Sequence, residues 1–281
     1  MKYTYENIKL AALDLDGTLL QPDGTLSPRA HRALVQAIAC GIEIVAASGR
    51  AFATLPKEVL EIQGIRYAIT SNGAAVNEVP GGKRIAARCL KESAVREILE
   101  IAGKEKSVLE VFVDGVPYAD RKYTEDPVRW GCPQSAVHYV RTTRRPVNDI
   151  EEFISEHADS LDSIDFICKN DDQKNRLIQM VTAQTDEVYI TSSVPHLLEI
   201  SAAGGGKGNA LKTICQMTGI DLQYVAACGN ADNDADMLKI AGVGAAVSDA
   251  SLECLAAADV ILGSCSEDGV AMFLEELVRI S

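Results

Sequence analysis

The 281-residue sequence has no CxxC pair, no apolar run long enough to cross a bilayer, no extended cluster of lysine and arginine, and no internal repeat or low-complexity tract. Each absence removes a class of protein. The eight cysteines (Cys40, Cys89, Cys132, Cys168, Cys215, Cys228, Cys254 and Cys265) are scattered, several of them inside apolar runs such as VAAC and LVQAIAC. They read as small buried hydrophobes in a reducing compartment, not as a disulfide framework. At the amino terminus, MKYTYENIKLAALDLDG carries charges on both sides of an apolar stretch too short for a signal core or a membrane span, so the expected location is the cytoplasm, with no membrane partner. A formal net charge of −13 would repel a polyphosphate backbone, and nucleic acid is not an expected partner. The densest basic patch, RTTRR at 141–145, is expected to be a solvated loop or hairpin edge. The four histidines, His31, His138, His157 and His196, lie far apart and in no metal-ligand spacing.

What is present is the balance of an ordinary globular protein, 47% hydrophobic and 24% charged. A chain of this length buries roughly three quarters of its unfolded surface and needs no staple. The segment 8–16, IKLAALDLD, is a near-continuous apolar run ending in carboxylates, as a parallel strand covered on both faces would be. Ser27 and Pro28 fit the cap and first position of a helix, Ala30, Leu34, Ala37 and Ile38 keep helical spacing, and Gly41 fits its end. EIVAAS at 43–48, a further helix and YAIT at 67–70 continue a β-α-β-α-β alternation. The pattern resumes after residue 207 with YVAAC, VGAAV and DVIL between helices. The expected fold is α/β, a doubly wound parallel sheet, with ligands bound outside the carboxyl ends of its strands. Between 89 and 191 the character changes. VLEVFVDGVPYAD and SAVHYVRTTRRP turn and alternate like antiparallel hairpins among amphipathic helices, so an inserted α+β module is expected there, with the core formed by 1–88 and 192–281.

The most informative stretch is Asp14-Leu15-Asp16-Gly17-Thr18. Residues two apart in an extended segment point the same way, so both carboxylates can reach one reaction centre, and Gly17 allows a sharp exit from the strand. Two acids in one site can divide the labour, one attacking while the other, pushed toward protonation, donates a proton. Three further elements fall at later strand ends. Ser48-Gly49-Arg50 offers a hydroxyl and main-chain N–H groups for phosphate oxygens, Lys207-Gly208 a compact cation, and Gly229-Asn230-Ala231-Asp232-Asn233-Asp234 a cluster of oxygen ligands suited to Mg²⁺.

DLDGT at 14–18, SGR at 48–50, KG at 207–208 and GNADND at 229–234 match, in order, the four signature motifs of haloacid dehalogenase-type hydrolases, and the chain resembles that family. SNGA at 71–74, the large insertion and the LEIS…KGNAL context resemble its Cof-type branch, which has an α+β cap. The resemblance implies a phosphatase in which Asp14 is phosphorylated, Asp16 is the general acid and base, and Ser48, Gly49, Lys207 and Asn233 hold the phosphate. It also implies Mg²⁺ at the Asp14 carboxylate, the Asp16 main-chain carbonyl and residue 230. The family usually carries aspartate at that last position, where this chain has the neutral Asn230; Asp234 is then a candidate direct ligand. Arg50 and Asn72 are further candidate substrate contacts.

The function expected is Mg²⁺-dependent hydrolysis of small phosphomonoesters, sugar phosphates or related metabolites, by a monomer or homodimer. The alternatives are a phosphosugar mutase using the same acids, and a phosphometabolite-binding regulator in which Asn230 has weakened catalysis.

Overall fold

Strands form where apolar runs are long enough to be buried on both sides. The computed structural model describes residues 7–280, so the first six residues of the amino-terminal stretch lie outside the described residues. Its strands in chain order are β1 (Leu10–Asp14), β2 (Glu43–Ala47), β3 (Tyr67–Thr70), β4 (Ala75–Glu78), β5 (Arg84–Ala87), β6 (Val108–Val113), β7 (Val116–Asp120), β8 (Arg145–Val147), β9 (Leu161–Ile167), β10 (Val188–Thr191), β11 (Leu197–Ala202), β12 (Val225–Gly229), β13 (Val243–Val247) and β14 (Val260–Leu262). The chain divides into two compact units: one runs to Ala86 and resumes at Gly206, and the other is Ala87–Gly205.

The first unit holds a sheet in the order β14-β13-β12-β1-β2-β3-β4-β5. Its pairings from β14 to β3 are parallel, and β4 returns antiparallel to β3. Alternate residues of the central strands feed two cores. Ala11 and Leu13 pack with Leu34 and Ala37 of the helix Pro28–Ala39 and with Phe273, Leu274 and Leu277 of the helix Gly269–Ile280. Leu10 and Ala12 pack on the other face with Leu211 and Ile214 of the helix Lys207–Thr218 and with Met237 and Leu238. This is the doubly covered sheet that the unbroken apolar runs require. Ser27 caps its helix as expected, its hydroxyl accepting from the Ala30 N–H at 2.9 Å, and Gly41 follows with φ 88°.

The second unit holds a sheet in the order β10-β11-β9-β6-β7-β8, antiparallel apart from the β7–β8 pair. One face packs on the helices Glu92–Glu105, Ile150–Glu156 and Asp171–Gln184 through Leu109, Val111, Ile164, Phe166, Leu198 and Ile200. Three expectations fail here. The boundary at residue 191 stops one strand short, because β11 hydrogen-bonds β9 and β10 and sends Leu198 and Ile200 into the second unit's own core. SAVHYVRTTRRP is not a hairpin either: Val137–Thr143 is a helix with Val140 buried. Nor is its basic run wholly solvated, since the Arg144 side chain is only 7% exposed and forks the carboxylate of Glu110 at 2.8 and 3.0 Å. Of the eight cysteines, all free, six are buried, while Cys40 is exposed and Cys89 half-buried. Among the described residues no helix is long and apolar enough to cross a membrane.

Candidate active site

Parallel neighbours bring their carboxyl ends together, about 4.8 Å apart per strand. Asp14 closes β1 opposite Ala47 of β2, and Leu13 stands opposite Cys228 of β12, so Asp14, Ser48 and Gly229-Asn230 leave adjacent strand ends. After Asp14 the chain turns through Leu15–Leu19, with Asp16 extended (φ −72°, ψ 117°) and Gly17 at φ 75°. Glycine at 17 suits the turn and leaves room for Asn230. Beside the left-handed backbone, a Cβ there would lie 2.4 Å from Asn230 Nδ2, so the Asn230 side chain rests directly on this turn.

Lys207 begins its helix with no exposed surface and spans two acids. Its ammonium donates to Asp14 Oδ1 at 2.7 Å and to Asp234 Oδ1 at 2.6 Å. The second oxygen of Asp14 accepts from the Thr18 hydroxyl at 2.7 Å, and Asp14 is itself buried. Two carboxylates against one ammonium leave the cluster with excess negative charge. Burial, and after it the charge of Asp234, outweigh Lys207 and push the Asp14 carboxyl up to about 7. Burial alone would lower the Lys207 ammonium, but Asp14 and then Asp234 more than offset it and hold it above its ordinary value.

Asp16 faces solvent more than its neighbour does. Its side chain is 51% exposed and is gripped by Arg50, Nε donating to Oδ2 at 2.7 Å and Nη2 to Oδ1 at 2.6 Å. A third Arg50 donor reaches the Thr54 carbonyl at 3.0 Å, which fixes the guanidinium plane. Ser48 is buried and its hydroxyl accepts from the Arg50 N–H at 3.1 Å. Asn72 Oδ1 accepts from Asn233 Nδ2 at 2.8 Å and stands where a Cβ on Gly49 would come within 2.8 Å.

The residues expected at the site therefore fall in the first unit as contacting groups: Asp14, Lys207 and Asp234; Asp16 with Arg50; Ser48, Gly49, Asn72 and Asn233; and Asn230 against Gly17. Asp234, the candidate direct ligand, is engaged on both oxygens by protein donors. It has no exposed surface, one oxygen takes the Lys207 ammonium, and the other accepts the main-chain N–H groups of Asn230 and Ala231 at 2.9 and 3.0 Å. The first oxygen is thus engaged by Lys207 and the second shapes the loop. Three supporting residues carried no assignment from sequence. Thr18 is the hydroxyl on Asp14, Asp236 Oδ2 accepts from the Gly208 N–H at 3.0 Å and secures the first turn after Lys207, and the Ser251 N–H donates to the Asn230 carbonyl at 2.7 Å. Thr18 was legible in principle, as a hydroxyl four residues after Asp14 in a tight turn; the other two depend on folded contacts.

The donor set fits a hard divalent cation. Asp14, the Asp16 carbonyl and the Asn230 side-chain carbonyl offer oxygens, the ligands Mg²⁺ prefers, and a cation would neutralise the negative charge that, after burial, raises Asp14. Among the described residues no three acids, histidines or cysteines gather as a metal-ligand group.

Residues 11–274 match the family model of haloacid dehalogenase-like hydrolases. The chain is 28% identical to phosphatase YwpJ of Bacillus subtilis over 96% of its own length and all of that protein. It is 27% identical to the HMP-PP phosphatase of Cronobacter sakazakii, covering 95% of this chain and 94% of the other. Among solved structures, a haloacid dehalogenase-like hydrolase from B. subtilis superposes with a TM-score of 0.80 at 27% identity, over 96% of this chain and 99% of that one. With the ordered motifs, the sheet and the acid–lysine cluster already in place, the match over nearly the whole chain assigns this protein to the haloacid dehalogenase-like hydrolase family.

Proposed function

We propose that the protein is a Mg²⁺-dependent phosphatase that hydrolyses small phosphomonoesters through a phosphorylated Asp14. The observation that carries this reading is the setting of Asp14: at a strand end, buried, with one oxygen on Lys207 and the other on Thr18, beside a more exposed second acid in Asp16. The phosphatase names of its relatives support the reaction class.

In the first step an Asp14 oxygen bonds to phosphorus as the ester P–O bond breaks, and Asp16 gives its proton to the departing alkoxide. In the second, Asp16 takes a proton from water as the water oxygen bonds to phosphorus. The bond to Asp14 then breaks, releasing phosphate and restoring the carboxylate. Lys207, Ser48, Gly49 and Asn233 donate to the non-reacting phosphoryl oxygens, where charge is concentrated. Bound at Asp14, the Asp16 carbonyl and Asn230, Mg²⁺ supplies a Lewis acid that offsets phosphoryl charge. Arg50 holds the Asp16 carboxyl in place until substrate arrives. The second unit, Ala87–Gly205, is assigned the choice of substrate; its fold carries none of the four motifs.

The test is hydrolysis of an aryl phosphate with and without added Mg²⁺, followed by borohydride trapping during turnover. Reduction of an acyl phosphate at residue 14 yields homoserine there, detectable by peptide mass. Turnover with no modification at residue 14 would reject the covalent step, and absence of turnover on any phosphomonoester would reject the activity.

A further inference from the structure

Ser71, Asn72 and Gly73 follow one another at φ 49°, 51° and 89°. Glycine enters this left-handed region freely, asparagine tolerates it, and serine resists it. Such a run persists only where its surroundings over-determine it. Here they do. The Ser71 N–H donates to the Arg50 carbonyl at 2.9 Å and the Asn72 N–H to the Ser48 carbonyl at 3.3 Å. Gly73 is packed so closely that a Cβ would lie 2.1 Å from the Gly206 carbonyl oxygen. The Asn72 side chain is 5% exposed, accepts from Asn233 at 2.8 Å and abuts Gly49. One strained turn thus touches the loops that carry Ser48, Lys207 and Asn233.

We propose that Asn72 is a positioning residue for phosphate binding, its Oδ1 fixing the amide of Asn233 and its main chain the Ser48-Gly49-Arg50 loop. The inference rests on the phosphatase reading. A carboxamide has two faces, and for Asn233 to serve a phosphate oxygen it must present N–H, since its carbonyl oxygen would repel the anion. Asn233 Oδ1 is buried and finds no hydrogen-bond partner. The contact with Asn72 therefore selects the orientation. It takes one hydrogen of Nδ2 and leaves the second for a ligand. The strained backbone is what brings Oδ1 to that point.

If asparagine stands at 72 only because it tolerates the turn, Asn72→Gly should match or exceed the wild type in stability and in function. If it positions Asn233, the same variant binds inorganic phosphate about tenfold more weakly by calorimetry in Mg²⁺ buffer, at a temperature where both proteins are fully folded. Its kcat/KM on an aryl phosphate then falls about tenfold to a hundredfold, the usual range when an orienting partner is lost. A double-mutant cycle separates acting through Asn233 from acting on the ligand directly. In an Asn233→Ala background, Asn72→Gly should add little; losses that multiply would overturn the proposal. Gly49→Ala, whose new methyl would displace Asn72 Oδ1, should reproduce the weakened binding with Asn72 still present. Wild-type phosphate affinity in Asn72→Gly, or a loss that merely follows a fall in Tm, overturns it as well. A wild-type protein that binds phosphate but cleaves no ester would reject the phosphatase and leave the binding comparison decisive. One that does not bind phosphate rejects both.

Discussion

The Lys207 ammonium lies 2.7 Å from Asp14 Oδ1 with neither side chain appreciably exposed, and Asp234 shares the same cation at 2.6 Å. A buried trio of two acids and one base is held together by its charge balance as much as by its geometry, and its members should respond differently to substitution.

Asp14→Asn should lose turnover while folding normally and still binding phosphate. Removing a covalent nucleophile costs many orders of magnitude in rate, whereas removing a positioning group costs a few kcal/mol. The substitution also leaves Lys207 and Asp234 as a one-to-one pair, so Tm should not fall. Purified Asp14→Asn retaining more than a few per cent of the wild-type rate would show that Asp14 is not phosphorylated.

The pH dependence has a definite sign. The folded state raises the Asp14 carboxyl from the unfolded 3.8 to about 7, so between those values the folded protein holds a proton that the unfolded chain releases. Asp14 therefore costs no stability below about pH 4 and progressively more as pH rises to about 7, beyond which the loss is complete. In metal-free buffer, the Tm of Asp14→Asn minus that of wild type should be near zero at pH 4 and grow to a plateau above pH 7. Added Mg²⁺ should shrink that gap. A difference that stays flat across the range contradicts the assignment.

Lys207→Met strands two carboxylates without their cation, Asp234 with no exposed surface and Asp14 with little. Breaking a buried pair by deleting one partner typically costs about 3–5 kcal/mol. The remedy open to the variant is protonation of one acid, which acid conditions favour. Urea midpoints should therefore drop sharply at pH 8 and recover in part at pH 5. Equal losses at both pH values would mean that packing, not charge, accounts for the role of Lys207.

The parallel core was readable because burial on both faces needs only composition: LAALD, EIVAA, VAACG and VGAAV are nearly all apolar, and every one is a central strand. The acids of DLDGT were readable because strand ends and a glycine constrain them locally. What failed depends on distant partners. Val137–Thr143 is rich in β-branched and aromatic residues that favour strands, and folds as a helix around the buried Val140. Arg144 looked like surface because its acid, Glu110, lies 34 residues away. Nothing in GNADND announces that the second oxygen of Asp234 will close back on the N–H groups of residues 230 and 231.

That closure sharpens the expectation for Asn230. With both oxygens of Asp234 engaged, the proposed Mg²⁺ site is left with one carboxylate, Asp14, and an aspartate at position 230 would make two. Asn230 is held by its main-chain carbonyl's bond to the Ser251 N–H and by side-chain contact with Gly17, so Asn230→Asp changes charge with little change of shape. A unit charge at ligand distance is worth on the order of 4 kcal/mol at an effective dielectric near 20, before desolvation takes most of it back. A net gain of roughly 1–2 kcal/mol corresponds to about tenfold to thirtyfold tighter Mg²⁺ binding. Asn230→Asp should lower the Mg²⁺ concentration for half-maximal activity by that factor, and direct Mg²⁺ calorimetry should show the same shift without substrate. An unchanged or higher requirement in Asn230→Asp would mean either that residue 230 does not touch the metal or that the site is tuned to its neutrality. Calorimetry separates these, since only the second leaves a measurable change in affinity.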